Sequence, residues 1–266
     1  LVPLNPVRVI VALSGGRDSM ALLDVAARIA ADRRQQLIAE LRAVYVHHGL
    51  EREADAWEEH CRRECEKRGV IFEAVRVRVQ RSGDGIEAAA RDVRYRALAQ
   101  YALKSGCSII MTAHHEDDRI ETFLLQWMRG AGLEGLAAFP EVRELAAPSM
   151  EDAKAVQARK QVFLLRPWSG VLRRDIERYV KNRRIPYVDD PSNNSPKYDR
   201  NRVRSEIIPR LEAIRPGFSA SAARSVGLIG EALEVLKSVA RSDLEACRSE
   251  TMPHGLSVYR LLELIP

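Results

Sequence analysis

The sequence predicts an α/β fold, in which a parallel sheet carries helices on both faces and a small helical segment follows. Three observations predict it. Apolar stretches alternate with amphipathic ones along most of the chain, the first apolar stretch ends at two glycines before a helical pattern, and polar clusters follow three of the apolar stretches. With 266 residues, 46% of them apolar, the chain can bury one sizeable core plus an appendage.

Each element follows from its local pattern. The apolar strand candidates are, in order, 7–13, 43–48, 71–79 and 108–113, with a weaker one at 162–166. The helical patterns are 19–31, 54–68, 86–104, 116–129 and 171–184. Strands that alternate with helices are joined by crossovers, and this order favours parallel pairing with both faces of the sheet covered.

The segment Ser14-Gly15-Gly16-Arg17-Asp18-Ser19 predicts a phosphate-binding loop. Glycines let the backbone approach an anion closely, hydroxyls donate hydrogen bonds, and the following helix N-terminus offers backbone N–H groups. No lysine follows at the spacing of G-x-x-x-x-G-K-[ST], which excludes the P-loop of ATPases and kinases. A Gly-Gly turn that caps a helix is the structural alternative.

Two further polar clusters end predicted strands. His47-His48-Gly49 follows the second strand, and His114 to Asp118 follow the strand at 108–113. Because carboxyl ends of parallel strands share one edge of a sheet, we expect one composite pocket with the phosphate loop. Neither His pair has the spacing of a zinc site.

The acidic residues at the start of the helix 116–129 have two interpretations. Acids are favoured there by the helix dipole for structural reasons alone. However, Asp118 and Glu121 are one turn apart on one helix face. Beside a nucleotide, such carboxylates would coordinate magnesium or accept a cationic substrate.

Basic residues are concentrated between Arg166 and Arg204. Eleven basic side chains stand there against five acidic ones, a surplus that exceeds the net charge of +5 of the whole chain. Such a stripe is typical of an RNA-binding surface, although a solvated helix face with i,i+4 ion pairs explains part of it.

Other features bound the class of protein. The four cysteines fit reduced thiols, and for Cys61 and Cys65, four residues apart, packing is favoured over half a metal site. No apolar run approaches the roughly 18 residues of a membrane span, and no signal peptide pattern is present, so we expect a cytoplasmic protein with no membrane partner.

Several blocks resemble the tRNA(Ile)-lysidine synthase family of PP-loop ATP pyrophosphatases, in the same order and across nearly the whole chain. They are S-G-G-R-D-S (14–19), V-H-H-G-L-E-R-E-A-D-A-W (46–57), G-I-E-A-A-A-R-D-V-R-Y (85–95), T-A-H-H-E-D-D-R-I-E-T-F-L-L (112–125), R-G-A-G-L-E-G-L (129–136), L-L-R-P-W (164–168) and D-D-P-S-N-N-S-P-K-Y-D-R-N-R-V-R (189–204). The first block is shared by many PP-loop enzymes, whereas the fourth and the last are more discriminating.

The resemblance implies a Rossmann-like fold of the adenine nucleotide alpha hydrolase type and a ligase that modifies tRNA. Such an enzyme joins L-lysine to C2 of the wobble cytidine in the CAU anticodon of an isoleucine tRNA. It uses ATP through an adenylated tRNA intermediate, releases pyrophosphate and AMP, and changes codon reading from AUG to AUA.

The resemblance also implies residue roles. ATP would be bound by Ser14, Gly15, Gly16, Arg17, Asp18, Ser19, His47, His115 and Arg129, with Asp18 engaging Mg²⁺. Lysine would be received by Asp118 and Glu121, which with Asp18 form the catalytic set. The tRNA would be contacted by Arg173, Arg200, Asn201, Arg202 and Arg204. Arg17 stands at a variable position of the loop and adds phosphate affinity only if its guanidinium reaches the nucleotide.

Three alternatives stay open. A tRNA thiolase also adenylates a base oxygen but generally needs C-x-x-C cysteines or an iron–sulfur cluster, and the cysteine spacing here is different. An amidotransferase-type synthetase needs a glutaminase domain or an ammonia-supplying partner. A non-catalytic RNA-binding module would have no reason to keep both the loop and the carboxylates.

The domain organisation is expected to be a catalytic domain at 1–215 and, at 216–266, a helical connector with the start of a truncated C-terminal domain. In the latter, 216–248 reads as helix and 255–266 as a strand. We expect 143–161, which is polar and alanine-rich, to be an irregular loop over the site. The chain starts at Leu1 rather than methionine and resembles only part of a longer enzyme, so we expect a fragment; a homodimer is one option for its assembly.

Overall fold

The computed structural model describes residues 5–32, 34, 36–49, 53–78, 86–145, 161–190, 198–248, 255–258 and 260. The strands are β1 Val7–Leu13, β2 Ile38–His47, β3 Ile71–Arg76, β4 Ile109–Met111, β5 Val142–Leu145 and β6 Val162–Leu165. The helices are α1 Arg17–Ala31, α2 Ala54–Lys67, α3 Ile86–Ser105, α4 Glu116–Met128, α5 Leu133–Leu136, α6 Arg173–Arg183, α7 Asp199–Arg202, α8 Ile208–Ile214 and α9 Phe218–Ala246, with a π-helical turn at Val203–Ile207.

The six strands form one sheet in the order β3-β2-β1-β4-β6-β5. All neighbouring pairs are parallel except β5 and β6, which are antiparallel. The chain builds outward from β1 through β2 to β3, then returns to β4 on the other side of β1. The switch point of the topology therefore lies between β1 and β4, which is where open α/β sheets bind their ligands.

Alternate side chains of the central strands enter two cores, one on each face of the sheet. Val9 and Val11 of β1 lie in the core that includes α1, α2 and α6, whereas Ile10 lies in the core that includes α3. A strand whose two faces are both buried reads as a continuous apolar run, as Val7 to Leu13 does. The predicted fold class is confirmed.

The chain divides into two compact units, each described by itself. The first comprises 1–118 with 140–195 and contains the sheet. The second comprises 119–139 with 196–266, and its core is built from α4, α8 and α9 around Ile120, Leu124 and Ala222. The expected domain boundary at 215 stays a prediction.

The structure corrects the expected elements in several places. β2 begins at Ile38 rather than at residue 43, because the residues from Ile38 onward already pair with β1. The charged side chains of Glu40 and Arg42, which lie on one face of the strand, form an ion pair with each other. The expected irregular loop at 143–161 begins with a strand, since 143–145 belong to β5 and pair with β6. Residues 146–160 lie outside the described part of the chain.

The expected helix at 216–248 corresponds to α9. Of the expected strand at 255–266, Leu256 forms an isolated antiparallel bridge with Arg248, residues 258 and 260 are helical, and 261–266 are among the residues not described. Within the described residues, no helix combines the length and the apolar character that a membrane crossing requires.

Candidate nucleotide site at the switch point of the sheet

The phosphate loop connects β1 to α1 through a compact turn. Gly15 has a φ of +81°, a conformation that glycine adopts without strain, and its carbonyl accepts a hydrogen bond from the N–H of Val188 at 2.9 Å. A Cβ at this position would lie 3.4 Å from Cys61 Sγ and 3.6 Å from Val188 Cγ2. Glycine is therefore required here for its backbone conformation and favoured by close packing on two sides.

The two serines of the loop hold its shape. Ser19 Oγ donates to the carbonyl of Gly16 at 2.9 Å and accepts from the N–H of Ser14 at 3.3 Å. The hydroxyls of Ser14 and Ser19 lie 3.2 Å apart. Because α1 begins at Arg17, the N–H groups of its first turn have no acceptor within the helix, which makes this end suited to an anion.

Asp18 lies in the first turn of α1 and is paired within the loop. Arg17 Nε donates to Asp18 Oδ1 at 2.9 Å, and Arg17 Nη1 donates to Glu177 Oε1 of α6 at 2.6 Å. Burial alone would lower the pKa of Arg17, but the hydrogen bond and charge of Asp18, with Glu177, raise it above its ordinary value. The guanidinium of Arg17 thus engages two carboxylates, and its expected contact with phosphate stays a prediction.

His115, at the end of the segment after β4, approaches the loop from the other side of the switch point. Its Nε2 lies 3.8 Å from Asp18 Oδ2, and its side chain is 2% exposed. Its backbone forms a parallel bridge with Trp168. The prediction that the loop and the second histidine cluster share one edge of the sheet is borne out by this distance.

His47, the last residue of β2, belongs to a polar cluster at the same edge. Its Nδ1 accepts from the N–H of Gly49 at 3.1 Å, so Nε2 carries the proton and donates to Asp55 at 3.1 Å. Arg76 also donates to Asp55, at 3.0 Å. The neighbouring His48 accepts from Arg94 at 3.1 Å, and burial, followed by the charge of Arg94, lowers its pKa to about 4.

Asp117 and Asp118, in the first turn of α4, have separate structural roles. Asp117 Oδ2 accepts the N–H of Arg173 at 2.8 Å and caps α6, whose own N-cap residue Leu172 makes no side-chain cap. Asp118 Oδ2 accepts the N–H of His115 at 3.0 Å. Sequence reasoning missed the role of Asp117 because its partner lies 56 residues away.

Glu121 lies in the second unit and is almost completely buried. Arg204 donates to both of its oxygens, Nε at 2.6 Å and Nη2 at 2.9 Å, and Arg200 Nε donates at 2.8 Å. Arg200 also donates to Thr122 Oγ1 at 3.2 Å. A residue assigned to lysine is thus paired with two residues assigned to tRNA, and these assignments stay predictions.

The remaining predicted residues are more exposed. Arg129 follows α4 and is exposed, Asn201 is half-buried, and Arg202 is exposed with Glu206 at 3.7 Å. Arg173 donates to Glu177 at 3.0 Å. Arg166, counted in the basic stripe, is 1% exposed and donates to the carbonyl of Pro140 at 2.6 Å, so it is removed from any RNA-binding surface.

Hydrogen bonds that the sequence did not predict connect α1 with α6 and with Arg68, the residue that follows α2. Asp24 of α1 accepts hydrogen bonds from Arg68 at 3.2 Å, Tyr179 at 2.8 Å and Arg183 at 3.1 Å. Burial alone would raise the pKa of Asp24, but the hydrogen bonds from Tyr179 and Arg68 lower it. An acid on the buried face of an amphipathic helix was the signal that could have predicted a partner.

A family model described as a PP-loop domain matches residues 1–211. The chain belongs to the PP-loop domain family. The matched range contains the phosphate loop, both histidine clusters and the whole basic stripe. The PP-loop domain therefore includes every residue that the sequence assigned to ATP, lysine and tRNA.

Curated relatives of this PP-loop domain bear the name tRNA(Ile)-lysidine synthase. The relative from Ralstonia nicotianae is 43% identical over 239 residues, which are 89% of this chain and 47% of the relative. The relative from Chromobacterium violaceum is 42% identical over 255 residues, or 96% of this chain and 53% of the relative. The chain thus spans about half the length of the curated relatives it matches.

A solved structure shares the fold. The U34-tRNA thiolase NcsA from Methanococcus maripaludis with its [4Fe-4S] cluster aligns with a TM-score of 0.66 at 20% identity, over 86% of this chain and 74% of that one. At this identity the likeness concerns the fold of the PP-loop domain alone.

The four cysteines of this PP-loop domain are buried. Burial raises the pKa of Cys61 and of Cys65 to about 12. In the described part of the chain, the group of three metal-ligand side chains that lie close together is His47, Asp55 and Glu58, with no cysteine in it. This donor set does not suit an iron–sulfur cluster.

Proposed function

We propose that this PP-loop domain adenylates the wobble cytidine of a CAU anticodon in an isoleucine tRNA and ligates L-lysine to it. The main supporting observation is that Asp18 and His115 lie 3.8 Å apart at the switch point of the sheet. They lie beside a glycine- and serine-containing loop that is suited to binding phosphate. The names of relatives at about 40% identity supply the substrates.

The proposed chemistry has two balanced steps. In the first, the cytidine O2 attacks the α-phosphorus of ATP, the bond to the β-phosphate oxygen breaks, and pyrophosphate leaves. In the second, the ε-amine of lysine attacks C2, the C2–O2 bond breaks with AMP as the leaving group, and the amine loses its protons to solvent. The serines, the glycine backbone and the α1 N-terminus would bind the phosphates.

We propose that Mg²⁺ binds together with ATP and that Asp18 is its protein ligand. One carboxylate combined with nucleotide phosphates is a common donor set for Mg²⁺. Asp18 is paired with Arg17 in the structure, so metal and guanidinium would compete for this carboxylate. Bound magnesium would neutralise charge on the departing pyrophosphate.

Asp118 and Glu121 are the proposed recognition groups for lysine. A cationic amino acid needs carboxylates, and both residues belong to α4. Glu121 already binds two guanidinium groups, which supports its capacity for cations. Lysine at Glu121 would have to displace one of the hydrogen bonds made by Arg200 or Arg204.

For tRNA, the proposed contacts are Arg173, Arg200, Asn201, Arg202 and Arg204. In the first unit, to which Arg173 belongs, support comes from a cleft of about 410 Å³ whose lining includes Lys181, Arg184 and the half-exposed Tyr187, together with the acidic Glu177. Cations bind phosphates, and an exposed aromatic ring can stack on an unpaired base. The cytoplasm, where tRNA is modified, is the proposed place of action.

A homodimer remains a proposal as well. The supporting observation is a row of exposed apolar side chains on α9, namely Leu228, Val235, Leu236 and Val239. Sedimentation of the wild-type chain and of a Val235→Glu variant distinguishes a dimer through this face from a monomer.

The experiment that tests the function measures pyrophosphate release from ATP with unmodified isoleucine tRNA, with and without lysine. We expect release in both cases, because adenylation precedes lysine attack, and AMP release only when lysine is present. Asp18→Ala should abolish both, whereas Asp175→Ala, in an exposed ion pair on α6, should change neither. Unchanged turnover of the Asp18→Ala variant would contradict the assignment of the loop at 14–19 to ATP binding.

A further inference from the structure

A pair of reciprocal hydrogen bonds begins α4. The imidazole Nδ1 of His115, the residue before the helix, accepts the N–H of Asp118 at 3.3 Å. In return, Asp118 Oδ2 accepts the N–H of His115 at 3.0 Å. This is the arrangement of a capping box, with histidine in place of the usual serine or threonine and aspartate in place of glutamate.

The capping box determines where the imidazole proton resides. A neutral imidazole has one acceptor nitrogen and one donor nitrogen, so Nδ1 as the acceptor leaves the proton on Nε2. The same ring is 2% exposed and its Nε2 lies 3.8 Å from Asp18 Oδ2, beyond a direct hydrogen bond. The donor nitrogen of His115 is therefore on the side of the phosphate loop.

We propose that Asp118 is a positioning residue that acts on the phosphate site through His115. Its carboxylate accepts the backbone N–H of His115 and so fixes the turn in which the backbone N–H of residue 118 donates to Nδ1. That donation keeps the imidazole in the Nε2–H form, with its N–H directed at a phosphate oxygen of the bound nucleotide. The step is the donation of a hydrogen bond with no proton transferred. This inference deepens the proposed function and rests on it for the nucleotide, whereas the state of the imidazole can be tested without substrate.

Two roles of Asp118 predict different behaviour of the variants. If Asp118 served lysine alone, its loss would spare adenylation and leave the imidazole of His115 unchanged. If Asp118 positions His115, its loss must alter the imidazole and slow adenylation even when lysine is omitted. Asn at 118 retains an oxygen that can accept the N–H of His115, so this conservative variant should rescue both properties.

The first test is a long-range ¹H–¹⁵N spectrum of the whole chain labelled at histidine, recorded at about pH 8, where a free imidazole is neutral. His115→Gln identifies the signals of His115. We expect the Nε2–H form in the wild type and in Asp118→Asn, and a mixture of both forms in Asp118→Ala. An Nδ1–H form in the wild type, or an unaltered Nε2–H form in Asp118→Ala, would overturn the proposal.

The second test measures pyrophosphate release with tRNA and no lysine. Asp118→Ala should slow it by about 10- to 100-fold, since a misplaced contact near the reacting group costs that much, and Asp118→Asn, which keeps an acceptor for the N–H of His115, should slow it less than Asp118→Ala does. Normal release by Asp118→Ala with lost ligation assigns Asp118 to lysine and rejects the positioning role. Absence of release by the wild type would contradict the proposed function while the spectra still decide the role of Asp118.

Discussion

Glu121 carries one negative charge between two guanidinium groups, and its carboxylate is 1% exposed. Glu121→Gln removes that charge and leaves Arg200 and Arg204 facing each other. Breaking a buried ion pair costs about 3–5 kcal/mol, and because both arginines are about one-third exposed we expect a loss of roughly 2 kcal/mol in the free energy of unfolding. Urea unfolding checks this value.

The matched control for this prediction is Glu206→Gln. Glu206 lies in the same unit, is exposed, and has Arg202 at 3.7 Å, so its loss should change stability by less than about 0.5 kcal/mol. Equal stability of Glu121→Gln and the wild type would contradict the structural role of this pair. Any effect of Glu121→Gln on ligation must be compared with its effect on folding.

Protonation of His48 should make the free energy of unfolding depend on pH. Its pKa of about 4 lies below the ordinary value of 6.5, chiefly because burial disfavours the charged ring. The unfolded chain therefore binds the proton first, and stability falls as pH decreases from about 6.5 to about 4. His48→Gln should remove part of this decline, up to about 2 kcal/mol, in urea unfolding measured across that range. Parallel pH profiles for the two proteins would show that His48 titrates normally.

Site residues could be predicted from the sequence where their contacts lie close together along the chain. The phosphate loop was predictable because two glycines and two serines determine its turn within six residues. The proximity of His115 to Asp18 followed from the rule that parallel strands end at one edge. The pairing of Glu121 with Arg204, 83 residues away, depends on how distant helices pack and has no local pattern.

At the scale of elements, α6 depends on a cap from outside its own sequence. Asp117→Ala removes the acceptor for the N–H of Arg173 and should destabilise the first turn of α6 by about 1 kcal/mol. Hydrogen exchange should show faster exchange at residues 173–176 than in the wild type. Asp175→Ala, in the same turn but not a cap, should leave these amides nearly unchanged; equal acceleration in both variants would refute the cap.

Physical reasons explain why β5 and the start of β2 were not predicted from the sequence. β5 is an edge strand whose first three residues are exposed, so its sequence shows no apolar alternation. It joins the sheet through backbone hydrogen bonds to β6. β2 carries charged residues in its first half, which hid its start. The central strand β1, buried on both faces, was predicted at the bounds that the structure has.

For the molecule as a whole, charge should govern the affinity for tRNA. Affinity should fall steeply with salt, and Arg202→Ala should reduce the slope of log K against log salt by about 0.7 to 1. Arg202 is exposed, so its variant should keep the stability of the wild type. Arg166→Lys is the contrasting variant, since Arg166 is buried and should not affect the slope. Binding that is insensitive to salt would contradict an electrostatic RNA surface.

The activity proposed for the whole molecule is the ligation of lysine to a wobble cytidine. The most direct test incubates the protein with ATP, lysine and unmodified isoleucine tRNA, digests the tRNA, and identifies the wobble nucleoside by mass spectrometry. We expect a nucleoside whose mass equals cytidine plus lysine minus water, formed only when ATP and lysine are both present. Unchanged cytidine under conditions in which the protein binds ATP and tRNA, or a sulfur-containing product, would contradict it.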